Sequence, residues 1–265
     1  MRKRFVLYIA ACCVTAAVLF AAGCGGGGSV VVVGKNPFVI FVNASSNAAT
    51  LLFSLNDEPK GGNLAPLKSS APLQIEFISS DDGGYDVAVE PTDRSDIFDS
   101  QVNTFDRDTS TVVAAFGLKD FGTEDEKRLR LAVLAITRTA PTGNRARLIV
   151  LHGYNLGAGF DTPAINFLSA DPADPDNLDN PQFALTNIEY GTVRAIEVDV
   201  DPNPANHLVW VVRREDAEAR LSTPIAPSPA LKAGGIYLVV VSGLEDADAD
   251  TRDATVTFIE IPPEE

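Results

Sequence analysis

The run Gly235-Ile-Tyr-Leu-Val-Val-Val-Ser-Gly243 indicates what kind of element this chain is built from. It is short, apolar, rich in β-branched residues and bounded by glycines, which is typical of a buried strand. Similar runs recur along the chain, and most of them alternate with a period of two. No long segment shows the 3.6-residue period of a helix. The sequence therefore predicts an all-β fold with Gly, Pro, Asn and Asp turns between short strands.

The same order of strand-like segments occurs twice along the chain. The first set comprises residues 37–42, 50–55, 73–78, 85–89, 111–117 and 129–136; the second comprises 146–151, 164–168, 193–200, 208–212, 235–243 and 254–261. Asp81-Asp-Gly-Gly84 predicts a hairpin turn within the first set, because glycine adopts positive φ without steric cost. The segment 139–144 separates the two sets. We therefore expect two tandem antiparallel β-sandwich domains, at 37–138 and 145–262, each of an ordinary domain size.

Four motifs in the second set resemble the bacterial envelope module DUF4397, a domain family of unknown function. They are Val150-Leu-His152, Asp161-Thr-Pro-Ala-Ile-Asn-Phe167, Tyr190-Gly191 and the strand run that ends at Gly243. The first set looks like a more diverged copy. The resemblance implies an antiparallel, immunoglobulin- or transthyretin-like β-sandwich, and it implies no catalytic residues.

The amino-terminal segment is typical of an export signal. Arg2, Lys3 and Arg4 precede an uncharged apolar run, and small residues lead to Cys24 and a glycine-rich linker. Ala21-Ala22-Gly23-Cys24 resembles the lipobox of bacterial lipoproteins. That resemblance implies a signal peptide at 1–23, an acylated Cys24 and a linker at 24–36. An ordinary secretory signal or an uncleaved anchor helix are the alternatives.

The resemblance to lipoproteins also implies a cellular location. The residue after the cysteine is Gly25, not the aspartate that this family reads as inner-membrane retention. We therefore expect export and lipid anchoring at the cell envelope, in the outer membrane, facing the periplasm or the cell surface. The membrane would be a partner through the lipid on Cys24, since two or more acyl chains hold a protein stably to a bilayer.

Cysteine usage and charge agree with an exported, acidic protein. Of the three cysteines, Cys12 and Cys13 lie in the leader and Cys24 ends it, so a domain without disulfides must rely on its own core. The formal charge of −15 becomes −18 once the leader's three basic residues are removed. Such a surface excludes generic binding to nucleic acid or to anionic lipid, because both need a basic patch.

Neither histidine predicts a catalytic centre. A strand that ends in His152-Gly153 can mark the oxyanion-hole loop of an α/β-hydrolase, but that fold also needs a Gly-x-Ser-x-Gly elbow and alternating strands and helices. His207 is the other imidazole, and two imidazoles are too few for a three-ligand zinc site. Trp210 lies in an apolar run, which favours a core position over a sugar-stacking platform.

Two acidic segments are candidates for calcium. Asp246, Asp248 and Asp250 stand at alternating positions and are followed by Asp253, and oxygen ligands spaced in this way suit Ca²⁺. Asp171, Asp174, Asp176 and Asp179 form a second acidic segment. In both segments a solvated turn is the alternative. We commit to no metal ligand and to no other cofactor.

Taken together, these patterns predict a non-enzymatic, membrane-anchored envelope lipoprotein with a binding or structural role. The loops at the ends of the sandwiches would form its contact surface, with another envelope protein or a surface polymer as partner. A calcium-dependent adhesion module and a hydrolase of envelope polymers are the alternatives.

Overall fold

The computed structural model describes residues 34–45, 48, 50–93, 97–117, 128–156, 164–179, 181–213, 220–245 and 254–263. Residues Lys35–Glu265 belong to one compact unit. The predicted signal helix and Cys24 lie outside the described residues. Within those residues, no helix is long and apolar enough to cross a membrane.

The first half of the compact unit is made of strands joined by short turns. Its strands are β1 (Phe38–Asn43), β2 (Leu51–Leu55), β3 (Glu58–Leu64), β4 (Lys68–Ser69), β5 (Leu73–Gln74), β6 (Tyr85–Pro91), β7 (Asp99–Asn103), β8 (Ser110–Phe116) and β9 (Arg130–Ile136). A single 3₁₀ turn, Ser80–Asp82, precedes β6. Apolar β-branched and aromatic residues fill the strand interiors, as the sequence pattern predicts.

The second half repeats this plan. Its strands are β10 (Arg145–Leu156), β11 (Ile165–Ser169), β12 (Ala184–Ile188), β13 (Val193–Asp199), β14 (Val209–Arg213), β15 (Ile236–Glu245) and β16 (Thr255–Ile261), with a 3₁₀ turn at Pro204–His207 before β14. The described residues contain 3₁₀ turns but no α-helix, so the prediction of an all-β fold is confirmed.

The strands form four sheets, two in each half. Outer sheet 1 has the order β3-β2-β6-β7, and inner sheet 1 has the order β4-β1-β8-β9 with β5 also paired to β1. Inner sheet 2 has the order β13-β10-β15-β16, and outer sheet 2 has the order β12-β11-β14. Equivalent strands therefore make equivalent pairings in the two halves, as β1 with β8 and β10 with β15 show.

The sandwiches are antiparallel, as predicted, except for one parallel pair of strands in each half. β1 and β8 run parallel over six residue pairs, beginning with Phe38 opposite Ser110. β10 and β15 run parallel from Arg147 opposite Ile236. Between these two strands the chain passes through the outer sheet twice, and in between it returns to the inner sheet, at β4 and β5 in the first half and at β13 in the second. Parallel pairing needs such a long crossover connection, and here strands supply it instead of a helix.

The predicted hairpin at Asp81–Gly84 is also wrong, although the glycine conformation is as expected. Gly83 has φ 92° and follows the 3₁₀ turn. The turn carries the chain from β5 in inner sheet 1 to β6 in outer sheet 1, so the two strands face each other across a core. Ile75 and Tyr85 pack into the same buried cluster, so the two alternating runs are neighbours in the core although they are not paired as strands.

The side chains of the inner strands alternate between two cores. On β1, Val39 and Phe41 pack against outer sheet 1, whereas Ile40 and Val42 face the other way. On β15, Tyr237, Val239 and Val241 pack against outer sheet 2. The opposite faces of inner sheets 1 and 2 share one cluster, the middle apolar layer, composed of Ile40, Val42, Ala44, Val112, Ala114, Phe116, Ala132, Ile136, Ile149, Leu151, Ile236, Leu238, Val240 and Ile261. The four sheets are therefore stacked, and their two halves share a core.

Arginines reinforce the contact between the halves at the rim of the middle apolar layer. Arg138 follows β9, donates from Nε to the Pro262 carbonyl at 2.7 Å and lies over the Phe38 ring. Arg147 on β10 donates to the Thr137 carbonyl at 3.0 Å. These hydrogen bonds join residues of one half to backbone carbonyls of the other half.

Candidate binding cleft

A cleft of about 480 Å³ opens at the end of the second half where β13 ends and β14 begins. Two connections build it: one between β11 and β12, which contributes residues 171–173 and 182, and one between β13 and β14, which contributes residues 200–202, 206 and 207. Its lining is mostly polar and consists of Asp171, Pro172, Ala173, Gln182, Asp199, Val200, Asp201, Pro202, Asn206 and His207.

One wall is held by hydrogen bonds that converge on Asp201. The Nδ2 group of Asn206 donates to Asp201 Oδ2 at 2.9 Å, and the Asn203 amide donates to Asp201 Oδ1 at 2.7 Å. These two hydrogen bonds lower the pKa of the Asp201 carboxyl from its usual value. The carboxylate therefore stays ionised at neutral pH and keeps a negative charge at the cleft.

His207 belongs to the same wall of the cleft as Asp201. Its Nε2 atom lies 2.9 Å from the Asp201 backbone nitrogen and 3.1 Å from the Asp201 carbonyl oxygen, and the residue is 7% exposed. The tautomer of the ring decides which of these two backbone groups it hydrogen-bonds. In either tautomer His207 contacts the backbone of Asp201 and stabilises the turn.

The opposite wall begins at Asp171, whose Oδ1 accepts the Ala173 amide at 2.8 Å. A third carboxylate, Asp199, ends β13 and lies 3.4 Å from Arg145 Nε. The Asp199 side chain is 89% exposed, so this ion pair is open to water. The cleft thus offers carboxylates and amides from several directions, which suits a ligand that donates hydrogen bonds and carries positive charge.

The structure places His152 away from this cleft. His152 lies on β10 and is fully buried, and its ring meets the edge of Tyr190 with a centroid distance of 5.7 Å. Tyr190 in turn packs on Phe116 of the first half, at 5.4 Å. His152 thus belongs to the packed aromatic contact beside the middle apolar layer.

Of the two acidic segments predicted as calcium candidates, the structure describes only one. Asp246, Asp248, Asp250 and Asp253 lie outside the described residues, so that site stays a prediction. In the other segment, Asp171 caps a turn and Asp176 pairs with Arg220 at 2.6 Å. Among the described residues, no group of three or more His, Cys, Asp or Glu side chains could hold a metal ion.

Trp210 is fully buried in an apolar cluster, as predicted, and is not exposed as a sugar-stacking platform. The aromatic residues Tyr237, Phe258 and Tyr85 are buried as well, with 0%, 5% and 9% exposed. Burial also raises the pKa of the Tyr237 hydroxyl above its usual value. That hydroxyl accepts the Lys232 amide at 3.0 Å and so stabilises a loop.

Sequence reasoning did not find the cleft. Asp201-Pro-Asn-Pro-Ala-Asn206 lies between two of the predicted strand runs, and the sequence pattern alone does not mark it or Gln182 as part of a site. The available signal was the density of Asp and Asn before prolines in both connections, because these side chains bond to nearby backbone amides and build compact turns.

Comparisons with known proteins give few matches. No family model matches the chain, and no curated protein matches it. Among solved structures, the chain is similar to the crystal structure of a candidate cell adhesion protein from Bacteroides uniformis, with 9% sequence identity and a TM-score of 0.28. The match covers 84% of this chain and 96% of that chain. The resemblance to DUF4397 stays a prediction.

Proposed function

We propose that this chain is a non-enzymatic, lipid-anchored envelope protein that binds a partner in the cleft at the end of its second half. The observation that carries this proposal is the cleft itself, with its carboxylates and amides held in place by turn hydrogen bonds. Loops at the end of a rigid sheet scaffold are a common place for binding residues. The anchor on Cys24 would place that end in the envelope.

A basic segment of another envelope protein is the partner that fits the lining best. Asp171, Asp199 and Asp201 present carboxylates, and the whole chain has a formal charge of −15, which attracts cationic groups over several ångströms. Among the described lining residues none is Trp, Tyr or Phe. A sugar polymer usually stacks on such rings, so the lining favours lysine or arginine side chains over saccharides.

The use of the two imidazoles supports binding over catalysis. His152 is fully buried against Tyr190, and the Nε2 atom of His207 lies against the backbone of Asp201. A general base must reach a proton on its substrate, whereas the Nε2 atom of His207, although this residue lines the cleft, contacts the backbone of the same turn.

Binding in the cleft is tested by calorimetry with a pentalysine peptide. We expect the double variant Asp199→Asn with Asp201→Asn to bind the peptide about tenfold more weakly, because two carboxylates at the cleft become neutral while the side chains keep nearly the same size. Asp81→Asn with Asp86→Asn is the matched control, since it removes the same net charge from exposed sites in the first half. Equal weakening in both double variants would mean that only net charge attracts the peptide.

The lipid anchor is tested by metabolic labelling with radioactive palmitate. We expect label on the wild-type chain and on a variant with Cys12→Ala and Cys13→Ala, but none on Cys24→Ala, because only Cys24 stands at the predicted cleavage site. Equal labelling of Cys24→Ala would rule out the anchor while leaving the cleft untouched.

A further inference from the structure

The segment that forms one wall of the cleft also covers Trp210, the single tryptophan of the chain. We call residues 171–179 the strap. The Trp210 indole lies beneath it, fully buried, and donates from Nε1 to the Pro175 carbonyl at 2.6 Å. Trp210 belongs to a small apolar cluster on the outward face of outer sheet 2, separate from the core between the sheets, with Leu168, Ala170 and Val212.

The strap is clamped by one arginine. Arg220 Nη1 lies 2.6 Å from Asp176 Oδ1, and the guanidinium also stacks over the Trp210 ring at 4.7 Å from its centroid. Arg220 is only 20% exposed, whereas Asp176 is 78% exposed. Water and salt ions therefore reach the carboxylate of Asp176, and an ion pair exposed in this way is weakened by screening.

The strap reaches the cleft at its other end. Asp171, Pro172 and Ala173 line the cleft, and the next residues lead directly to Pro175 and Asp176. Turn hydrogen bonds join the two ends, since the Asp174 amide donates to the Asp171 carbonyl at 3.2 Å and the Asn177 amide donates to the Asp174 carbonyl at 3.0 Å. A displacement at Asp176 is thus transmitted through a short, hydrogen-bonded path to the cleft wall.

We infer that the strap is a lid, clamped by Asp176 and Arg220, whose opening uncovers Trp210 and removes one wall of the cleft. The strap has no strand pairing along residues 171–179, so its closed position depends on the indole hydrogen bond, the clamp and the small apolar cluster. Segments with few apolar contacts and exposed hydrogen bonds open locally without global unfolding. The inference that opening of the strap regulates binding rests on the proposed function, whereas the inference that the strap opens does not.

The test is hydrogen exchange of the Trp210 indole N–H, followed by NMR on the full-length chain freed of its leader and carrying Cys24→Ser. A chain with one tryptophan gives one indole signal, and its exchange rate is proportional to the opening equilibrium. We expect Asp176→Asn to speed exchange about two- to fivefold, the effect of losing one partly exposed ion pair. Raising NaCl from about 0.05 M to about 0.5 M should speed exchange in the wild type but not in Asp176→Asn.

Asp179→Asn is the matched control, because it removes the same charge from the end of the strap without touching Arg220; its exchange should equal that of the wild type. The lid is refuted if both variants behave alike, or if the indole exchanges no faster than the most protected amides of β14. The link to the cleft has its own readout, the ring resonance of His207 on the facing wall. Asp176→Asn should shift it and leave that of His152 in place, and an unchanged His207 signal would refute the link whether or not pentalysine binds.

Discussion

Replacing Leu238 by alanine is expected to lower the free energy of unfolding by about 2–5 kcal/mol, the range measured for leucines in well-packed cores. Leu238 is fully buried on β15 and lies in the middle apolar layer. Truncating it removes apolar contacts and leaves a cavity between two sheets that pack on each other. Equilibrium unfolding in urea measures the change.

Val102→Ala on β7 is the control for Leu238→Ala. Val102 is 68% exposed, so its truncation should change the free energy of unfolding by less than about 0.5 kcal/mol. If Leu238→Ala were as mild as this control, the middle apolar layer would not be a packed core, and the two halves would be only loosely associated.

Gly191→Ala is expected to be nearly as damaging, for a different reason. Gly191 has φ +71°, and a Cβ built on it would lie 2.7 Å from Cζ of Phe116, a residue of the other half. The left-handed conformation costs about 1–2 kcal/mol for a residue with a Cβ, and the overpacking adds about 1–3 kcal/mol. Thermal unfolding should therefore show a loss of about 2–5 kcal/mol, the sum of these two costs.

Gly143→Ala separates these two costs. Gly143 has nearly the same dihedral angle, φ +72°, but no atom lies within 4 Å of the Cβ position. Its substitution should show the conformational cost alone, about 1–2 kcal/mol. If both variants lost the same stability, the ring of Phe116 would not be pressed against the turn at Gly191, and this contact between the halves would contribute nothing.

The sequence pattern predicted the strands well because buried strand positions are occupied mainly by apolar residues. Runs such as 148–151 and 236–241 consist of apolar and aromatic residues, and the structure places them in inner sheets that are covered on both faces. What the pattern could not show is which core each face meets. Ile149 and Val150 are equally apolar, yet one packs between the halves and the other packs inside the second half.

Strand direction was the other failure of sequence reasoning, and it has a physical reason. Residues 37–42 and 111–117 carry no mark of parallel pairing, since both directions bury the same side chains. The direction follows from the path of the intervening chain through outer sheet 1, which is a long-range property. The hairpin expected at Asp81–Gly84 failed in the same way, because alternation identifies strands without identifying partners.

The candidate site was less predictable than the fold. The cleft depends on how two connections fold back on their own amides, as Asp201 and Asp171 do, and such turns have weak sequence signals. The histidines attracted attention because of their chemistry, but His207 turned out to complete a turn. The calcium candidates from Asp246 to Asp253 remain to be tested by thermal unfolding with added calcium, since a ligand of the native state raises stability.

The shared core is tested most directly by native-state hydrogen exchange with mass spectrometry on the wild type and on Leu238→Ala. Because β1 and β8 pack against β10 and β15 through the middle apolar layer, peptides from all four strands should exchange with one common opening free energy. In Leu238→Ala that free energy should fall by the same amount in both halves. If β1 and β8 kept their protection while β10 and β15 lost theirs, the halves would be independent domains, contradicting a single stacked unit.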